Sequence, residues 1–223
     1  MQNEAEKYLI ETIKRILTPS LARPHLINLG AAKSIVVEES LKQAGINFIC
    51  DRVDIQNCTV SASFVGRCFI CPLEKMSGIS SGAYDCAFSN FVLEHVVDPT
   101  AASEEMARLL KPGGQLIISC SNPRAPEFRL AAATPTSFHQ FFRGHDHDPA
   151  YHVEYAYASI EKLIRIFELS GLELQEDRRW PSVRYYLDSI PVLRIFGRLY
   201  DRLLSGFRWR SAMGHSVLVF KKK

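Results

Sequence analysis

Residues 84–120 constrain this chain more than any other stretch. Tyr84-Asp85-Cys86-Ala87-Phe88-Ser89 has the short, mostly apolar character of a buried strand. A polar turn follows, Asn90-Phe91-Val92-Leu93-Glu94-His95-Val96-Val97-Asp98-Pro99. Residues 100–110 then set Met106, Leu109 and Leu110 on one helical face, and Pro112-Gly113-Gly114 ends that helix. Residues 115–120 are a second apolar strand. Strand, helix of about ten residues and strand make a crossover unit, in which the two strands run parallel and the helix covers one sheet face.

The same alternation continues on both sides. Strand patterns fall at 25–29, 46–50, 65–71, 172–175 and 215–220, and helical patterns at 1–17, 34–44, 159–170 and 192–207. The expectation is one α/β domain over residues 1–223, a doubly wound and mostly parallel seven-stranded sheet with helices on both faces. The rhythm breaks at 122–152, where Pro123, Pro126, Pro135 and Pro149 accompany His139, His145, His147 and His152. A connection this long reads as an insertion or lid. Residues 178–210 read as a basic helical elaboration.

No apolar run approaches the roughly 20 residues a membrane span requires. The first 17 residues are amphipathic and lack the apolar core of a signal peptide, so the expected compartment is the cytoplasm. The formal charge of +3 is unevenly distributed. Between 178 and 210 eight arginines face only Asp188 and Asp201, and Lys221-Lys222-Lys223 follows. Such a balance suits an anionic partner or a solvated helix face. Nucleic acid is disfavoured, because no binding motif accompanies the basic residues. Cys68-x-x-Cys71 has half the spacing of a zinc site but no second pair, so the six cysteines read as buried thiols and no metal is expected.

The first strand ends in Asn28-Leu29-Gly30-Ala31-Ala32-Lys33-Ser34. In nucleotide-binding α/β folds this turn is glycine-rich, so that a ligand can approach backbone amides at the start of the next helix. A carboxylate ending the second strand, roughly 20 residues after the first glycine, accepts hydrogen bonds from ribose. Asp51 is the expected residue, with Asp54 as a nearby competitor. Ser89 and Asn90 end the fourth strand and belong to the same edge.

The phrases Phe88-Ser89-Asn90-Phe91-Val92-Leu93-Glu94-His95 and Leu109-Leu110-Lys111-Pro112-Gly113-Gly114 resemble those of class I S-adenosylmethionine-dependent methyltransferases. The resemblance covers about residues 24–176. It implies a Rossmann-like methyltransferase fold with an antiparallel last strand, S-adenosylmethionine as cofactor, and a cradle that includes Asn28, Gly30, Ala31 and Ala32. It also implies an adenine anchor after the third strand, for which Leu73 and Glu74 are the candidates. Of the family's D-x-G-x-G-x-G phrase only Gly30 is kept; Asn28, Ala32 and Ser34 take the other places. Glu94 and His95 then read as a hydrogen-bond network at a helix start.

The resemblance implies methyl transfer to a small-molecule, glycan or lipid-like acceptor. No catalytic side chain is assigned, since an in-line displacement depends chiefly on alignment and exclusion of water. His145-Asp146-His147-Asp148 remains open between a mobile polar loop, a base with its carboxylate, and a metal site. Residues 192–207 carry an apolar stripe beside Arg194, Arg198 and Arg202, which serves either packing on the domain or peripheral membrane contact through 184–210. Two other readings stay open: a catalytically inactive binding or scaffold relative, and a nicotinamide-dependent oxidoreductase on the same sheet.

Overall fold

The computed structural model describes residues 3–17, 23–133, 153–184, 191–207 and 209–223. Helix α1 (Glu4–Leu17) leads into β1 (His25–Leu29), α2 (Val36–Gln43), β2 (Ile49–Asp54), β3 (Val65–Ile70) and β4 (Tyr84–Asn90). A 3₁₀ turn at Leu93–His95 precedes α3 (Pro99–Leu109), β5 (Leu110–Ser121) and α4 (Pro126–Ala133). The chain ends with α5 (Ile160–Leu169), β6 (Leu172–Trp180), α6 (Pro191–Phe207) and β7 (His215–Lys222).

The seven strands form one sheet in the order β3-β2-β1-β4-β5-β7-β6. The first five pair in parallel, and β7 runs antiparallel between β5 and β6. This is the doubly wound, mostly parallel sheet with an antiparallel last strand expected from the sequence. Strand alternation sends successive side chains to opposite faces. Ile27, Leu29, Val53, Ile118 and Phe220 pack beneath α3 and α5, with Met106, Leu163 and Phe167. Leu26, Cys50, Phe88, Ile117 and Val219 pack beneath α1 and α2, with Leu9, Ile13, Val37 and Leu41.

Helix ends follow local chemistry. Asp98 caps α3 by accepting from the amides of Thr100 and Ala101, with Pro99 as the first helical residue. Ser159 caps α5 by accepting from the Lys162 amide, and Gly171 after it adopts φ +87°.

Several features differ from the sequence reading. Strand β5 starts at Leu110, not 115, so Pro112-Gly113-Gly114 lies within it and α3 ends earlier, at Leu109. Strand β2 starts at Ile49 and runs to Asp54, not 46–50. Ile46 instead closes the end of α2, its amide donating to the Leu41 carbonyl, and the charged Asp51-Arg52 pair lies inside the strand because both side chains find buried partners. Residues 178–180 are not helical but complete β6, an edge strand in which Glu173 and Arg178 are exposed while the Arg179 side chain is enclosed and paired with Asp177 and Glu161. Cys68 and Cys71 are half-buried rather than buried, with the other four thiols fully enclosed.

Candidate active site

In an open parallel sheet, ligands bind outside the carboxyl ends of the strands, where the strand order reverses. Here that point lies between β1 and β4. Both strand tips carry unusual backbone. After β1, Gly30 has φ +80° and Ala32 φ +43°; after β4, Phe91 has φ +54°. A Cβ on Gly30 would lie 2.4 Å from both methyl carbons of Val92, so the two tips touch where the glycine has no side chain. Gly30 is therefore required by conformation and by contact.

The turn after β1 is held from below. Arg52, on β2, is fully buried. Its Nη2 donates to the carbonyls of Ala31 (3.0 Å), Ala32 (3.2 Å) and Ser34 (2.8 Å), and its Nε to that of Cys58 (3.1 Å). Nη1 is paired with the Glu38 carboxylate on α2. Glu38 also accepts from the Asn28 side-chain amide at 2.8 Å. The guanidinium thus fixes three successive bends of a turn that lacks the family's glycines. Asn28, expected at the cofactor, has its amide directed to Glu38. Sequence reasoning passed over Arg52, although an arginine inside Cys50-Asp51-Arg52-Val53 was the visible signal that something buried needed its donors.

The ribose assignment requires correction. Asp51 does not end β2 but pairs with Ile27 in mid-strand, and its side chain turns toward the amino ends of the strands. Tyr84 at the start of β4 donates to Oδ2 at 2.8 Å, and the Arg67 amide to Oδ1 at 2.8 Å. The Arg67 guanidinium lies 3.1 Å and His25 3.3 Å from Oδ2. Burial raises the carboxyl's pKa, but these donors and charges outweigh it and hold it below its ordinary value. Gly66 lacks a Cβ where one would stand 2.2 Å from Asp51 Oδ1. Asp51 ties β2 to β1, β3 and β4 on the side away from the β1 turn.

Asp54 is the acid at the tip of β2. Its Oδ2 accepts from the Ala32 amide at 2.8 Å and its Oδ1 from the Gln56 amide at 3.0 Å. Asp54 is 3% exposed at this tip. Beside it, Ile55 and Ile70 are exposed at the ends of β2 and β3, and Val97 is exposed across the same edge. The adenine anchor also differs from expectation. Leu73 is buried in the core, and Glu74 Oε1 accepts from the amides of Val97 (3.1 Å) and Asp98 (3.4 Å). Glu74 closes the loop before α3.

On the other side of the crevice, Ser89 is wholly buried. Asn90 bridges α1 and β5: its Nδ2 donates to Glu6 Oε1 at 3.0 Å, and its Oδ1 accepts from Ser119 Oγ at 2.6 Å. Next come Phe91 and His215, whose rings lie 4.9 Å apart, and Phe128, 6.2 Å from His215 and 6.0 Å from Tyr155. Glu94, in the 3₁₀ turn, accepts from Ser121 Oγ at 3.0 Å, while its Oε2 is buried without a hydrogen bond. Burial pushes this carboxyl up to about 7. Burial also lowers His215 to about 4, so its ring is neutral near pH 7. Glu94 joins a hydrogen-bond network as expected, but its buried free oxygen and shifted pKa were not legible in Leu93-Glu94-His95.

The run His139 to His152 lies outside the described residues. Among the described residues no group of three or more His, Cys, Asp or Glu side chains could hold a metal ion. A cleft of about 270 Å³, lined by Ile16, Leu17, Asp85, Lys111 and Lys221, opens at the amino ends of the strands, the end that ligands of such sheets do not use.

A nucleotide-like cofactor fits the carboxyl edge on one observation: the tip of β2 holds a carboxylate beside exposed apolar side chains. A family model described as a methyltransferase domain matches residues 1–177. A ubiquinone biosynthesis O-methyltransferase of Xanthomonas oryzae pv. oryzae is 42% identical over 59 residues, 26% of this chain and 25% of that protein. The matched stretch thus spans a quarter of that relative's length. Among solved structures, an S-adenosylmethionine dependent methyltransferase from Mesorhizobium loti aligns over 96% of this chain and 98% of its own, with a TM-score of 0.61 and 13% identity. A geranyl diphosphate C-methyltransferase from Streptomyces coelicolor, in complex with S-adenosyl-L-homocysteine, covers 98% of this chain and 76% of its own, with a TM-score of 0.59 and 15% identity. At such identity these two establish the fold alone. With the domain model covering most of its length, the chain belongs to the methyltransferase-domain family, and its fold is that of the S-adenosylmethionine dependent methyltransferase of known structure.

Proposed function

We propose that the chain transfers the methyl group of S-adenosylmethionine to a small acceptor with an aromatic or lipid-like body. The cofactor supplies an electrophilic methyl on sulfonium. The turn after β1 would lie against it, Asp54 would accept from its ribose, and Ile55, Ile70 and Val97 would flank its adenine; the Gly30, Ala31 and Ala32 amides are themselves bonded to Val53 and Asp54. Arg52 positions the turn and touches no substrate. The acceptor lies against Phe91 and Tyr155, which are partly exposed, with Phe128 and His215 buried behind them at the tips of β4, β5 and β7. Glu94, poised near neutrality, is the buried group there that can take up or release a proton.

The aromatic cluster carries the acceptor assignment, because a glycan or a charged metabolite would call for polar partners in its place. The relative named for ubiquinone biosynthesis is consistent with a hydroxylated aromatic acceptor. The test is transfer of radiolabelled methyl from S-adenosylmethionine to hydroxylated aromatic, isoprenoid and glycan acceptors. Transfer to the first two classes supports the proposal, and transfer to glycans alone overturns the acceptor assignment.

The engagement of Asn28 by Glu38 favours a second reading, a binding protein that keeps the fold without turnover. Tight S-adenosylhomocysteine binding with no transfer to any acceptor, and no slow hydrolysis of the cofactor, would favour it.

A further inference from the structure

Helix α6 packs on the domain with one face only. Gly197 and Leu204 are buried, and Asp201 turns inward to accept from the Arg184 amide at 3.1 Å. The opposite face is apolar where a solvated helix would be polar. Ile195 is 61% exposed, Leu199 55% and Leu203 59%. These residues are four apart, so at about 100° per residue they form one continuous stripe. Arg198 and Arg202, both exposed, run along one side of it. Neither has an acidic partner among the described residues. Trp209, 65% exposed, sits just beyond the helix, its amide donating to the Leu204 carbonyl.

We propose that this outer face of α6 is a docking surface for an anionic phospholipid bilayer. Apolar side chains in the middle, arginines along the margin and a tryptophan at one end are what an interfacial helix presents to headgroups and acyl chains. No helix among the described residues is long and apolar enough to cross a membrane, so α6 lies in the interface plane. A second copy of the chain fits less well, since a two-fold contact on this stripe would bring four arginines together without acids to neutralise them. The surface lies outside the methyl-transfer site, so its test does not depend on turnover.

The intact chain is sedimented with vesicles of phosphatidylcholine alone and of phosphatidylcholine with phosphatidylglycerol. Binding to the anionic vesicles, weakened by salt and accompanied by a blue shift of tryptophan emission, is expected. Arg198→Ala and Arg202→Ala should each weaken binding roughly fivefold. Leu199→Glu/Leu203→Glu should abolish it while leaving the thermal midpoint and S-adenosylhomocysteine affinity unchanged. Absence of binding to anionic vesicles, binding that these variants leave intact, or a lipid-free dimer that Leu199→Glu/Leu203→Glu dissolves would each overturn the proposal. If the leucine variant loses its fold, the arginine variants decide alone.

Discussion

Arg52 Nη2 donates to the carbonyl oxygen of Ser34 at 2.8 Å while also reaching the carbonyls of Ala31 and Ala32. One buried guanidinium therefore sets the path of the turn after β1. Arg52→Met strips the donors and leaves Glu38 charged and enclosed, which should cost about 3–5 kcal/mol in urea unfolding. Arg52→Met/Glu38→Met should recover much of that loss, since replacing both members of a buried pair is often neutral. The double variant should still bind S-adenosylhomocysteine more weakly, because its turn has lost the clamp.

Ala32 adopts φ +43°, a conformation that costs an alanine about 1–2 kcal/mol and a glycine almost nothing. Ala32→Gly should thus stabilise the fold by up to about 1 kcal/mol, after the added chain entropy of glycine is subtracted. Asn28→Asp, which would restore the family's acid, should act in the opposite direction. Its carboxylate would face Glu38 in place of the amide that now donates at 2.8 Å, with an expected loss of about 2 kcal/mol. Urea midpoints of the two variants check both signs.

Gly30 is constrained twice. Gly30→Ala meets the Val92 methyl groups and also places a side chain at φ +80°. Gly30→Ala/Val92→Ala should remove the two methyl contacts but retain the 2.9 Å approach to the Cβ of residue 92 and a backbone cost of about 1–2 kcal/mol. Full recovery in thermal melts would show that contact alone selects glycine.

Glu94 and His215 have opposite effects on stability over nearly the same pH range. The Glu94 carboxyl rises from 4.5 to about 7 on folding, so the native state binds the extra proton and stability falls as pH rises through that window. His215 falls from 6.5 to about 4, so the unfolded state binds the extra proton and stability rises with pH from about 4 to 6.5. The two slopes oppose each other between pH 4.5 and 6.5. Glu94→Gln should unmask the histidine and make the protein acid-labile below pH 6.5. His215→Gln should leave the Glu94 slope, with stability declining toward neutral pH. Thermal midpoints across pH 4–8 test both.

The sheet was legible from residues 84–120 because strand and helix each obeyed a local rule, although Pro112-Gly113-Gly114, expected to break the chain before 115, lies inside β5. The tip of β2 was not. Reading its end from where apolar residues stop works only if charged residues stay outside strands, and here Asp51 and Arg52 are buried in mid-strand by mutual provision of donors and acceptors. Asp51 was therefore favoured over Asp54 by a shift of three residues. The Glu94–Ser121 bond depends on a partner distant in sequence, so no local pattern revealed it, and the arginine inside Cys50-Asp51-Arg52-Val53 signalled a buried need for donors without naming its partners. Glycine scarcity in the β1 turn was visible, but the clamp that compensates for it was not.

The central claim is that the tips of β1 and β2, not the buried Asp51 network, receive the adenosyl group. Calorimetry with S-adenosylhomocysteine on the native chain, Asp54→Asn and Asp51→Asn tests it directly. Asp54→Asn should weaken binding roughly 10- to 100-fold through loss of charge-assisted hydrogen bonds, with Asp51→Asn lowering stability but sparing affinity. Unchanged affinity in Asp54→Asn, or no binding by the native chain at millimolar ligand, would contradict it.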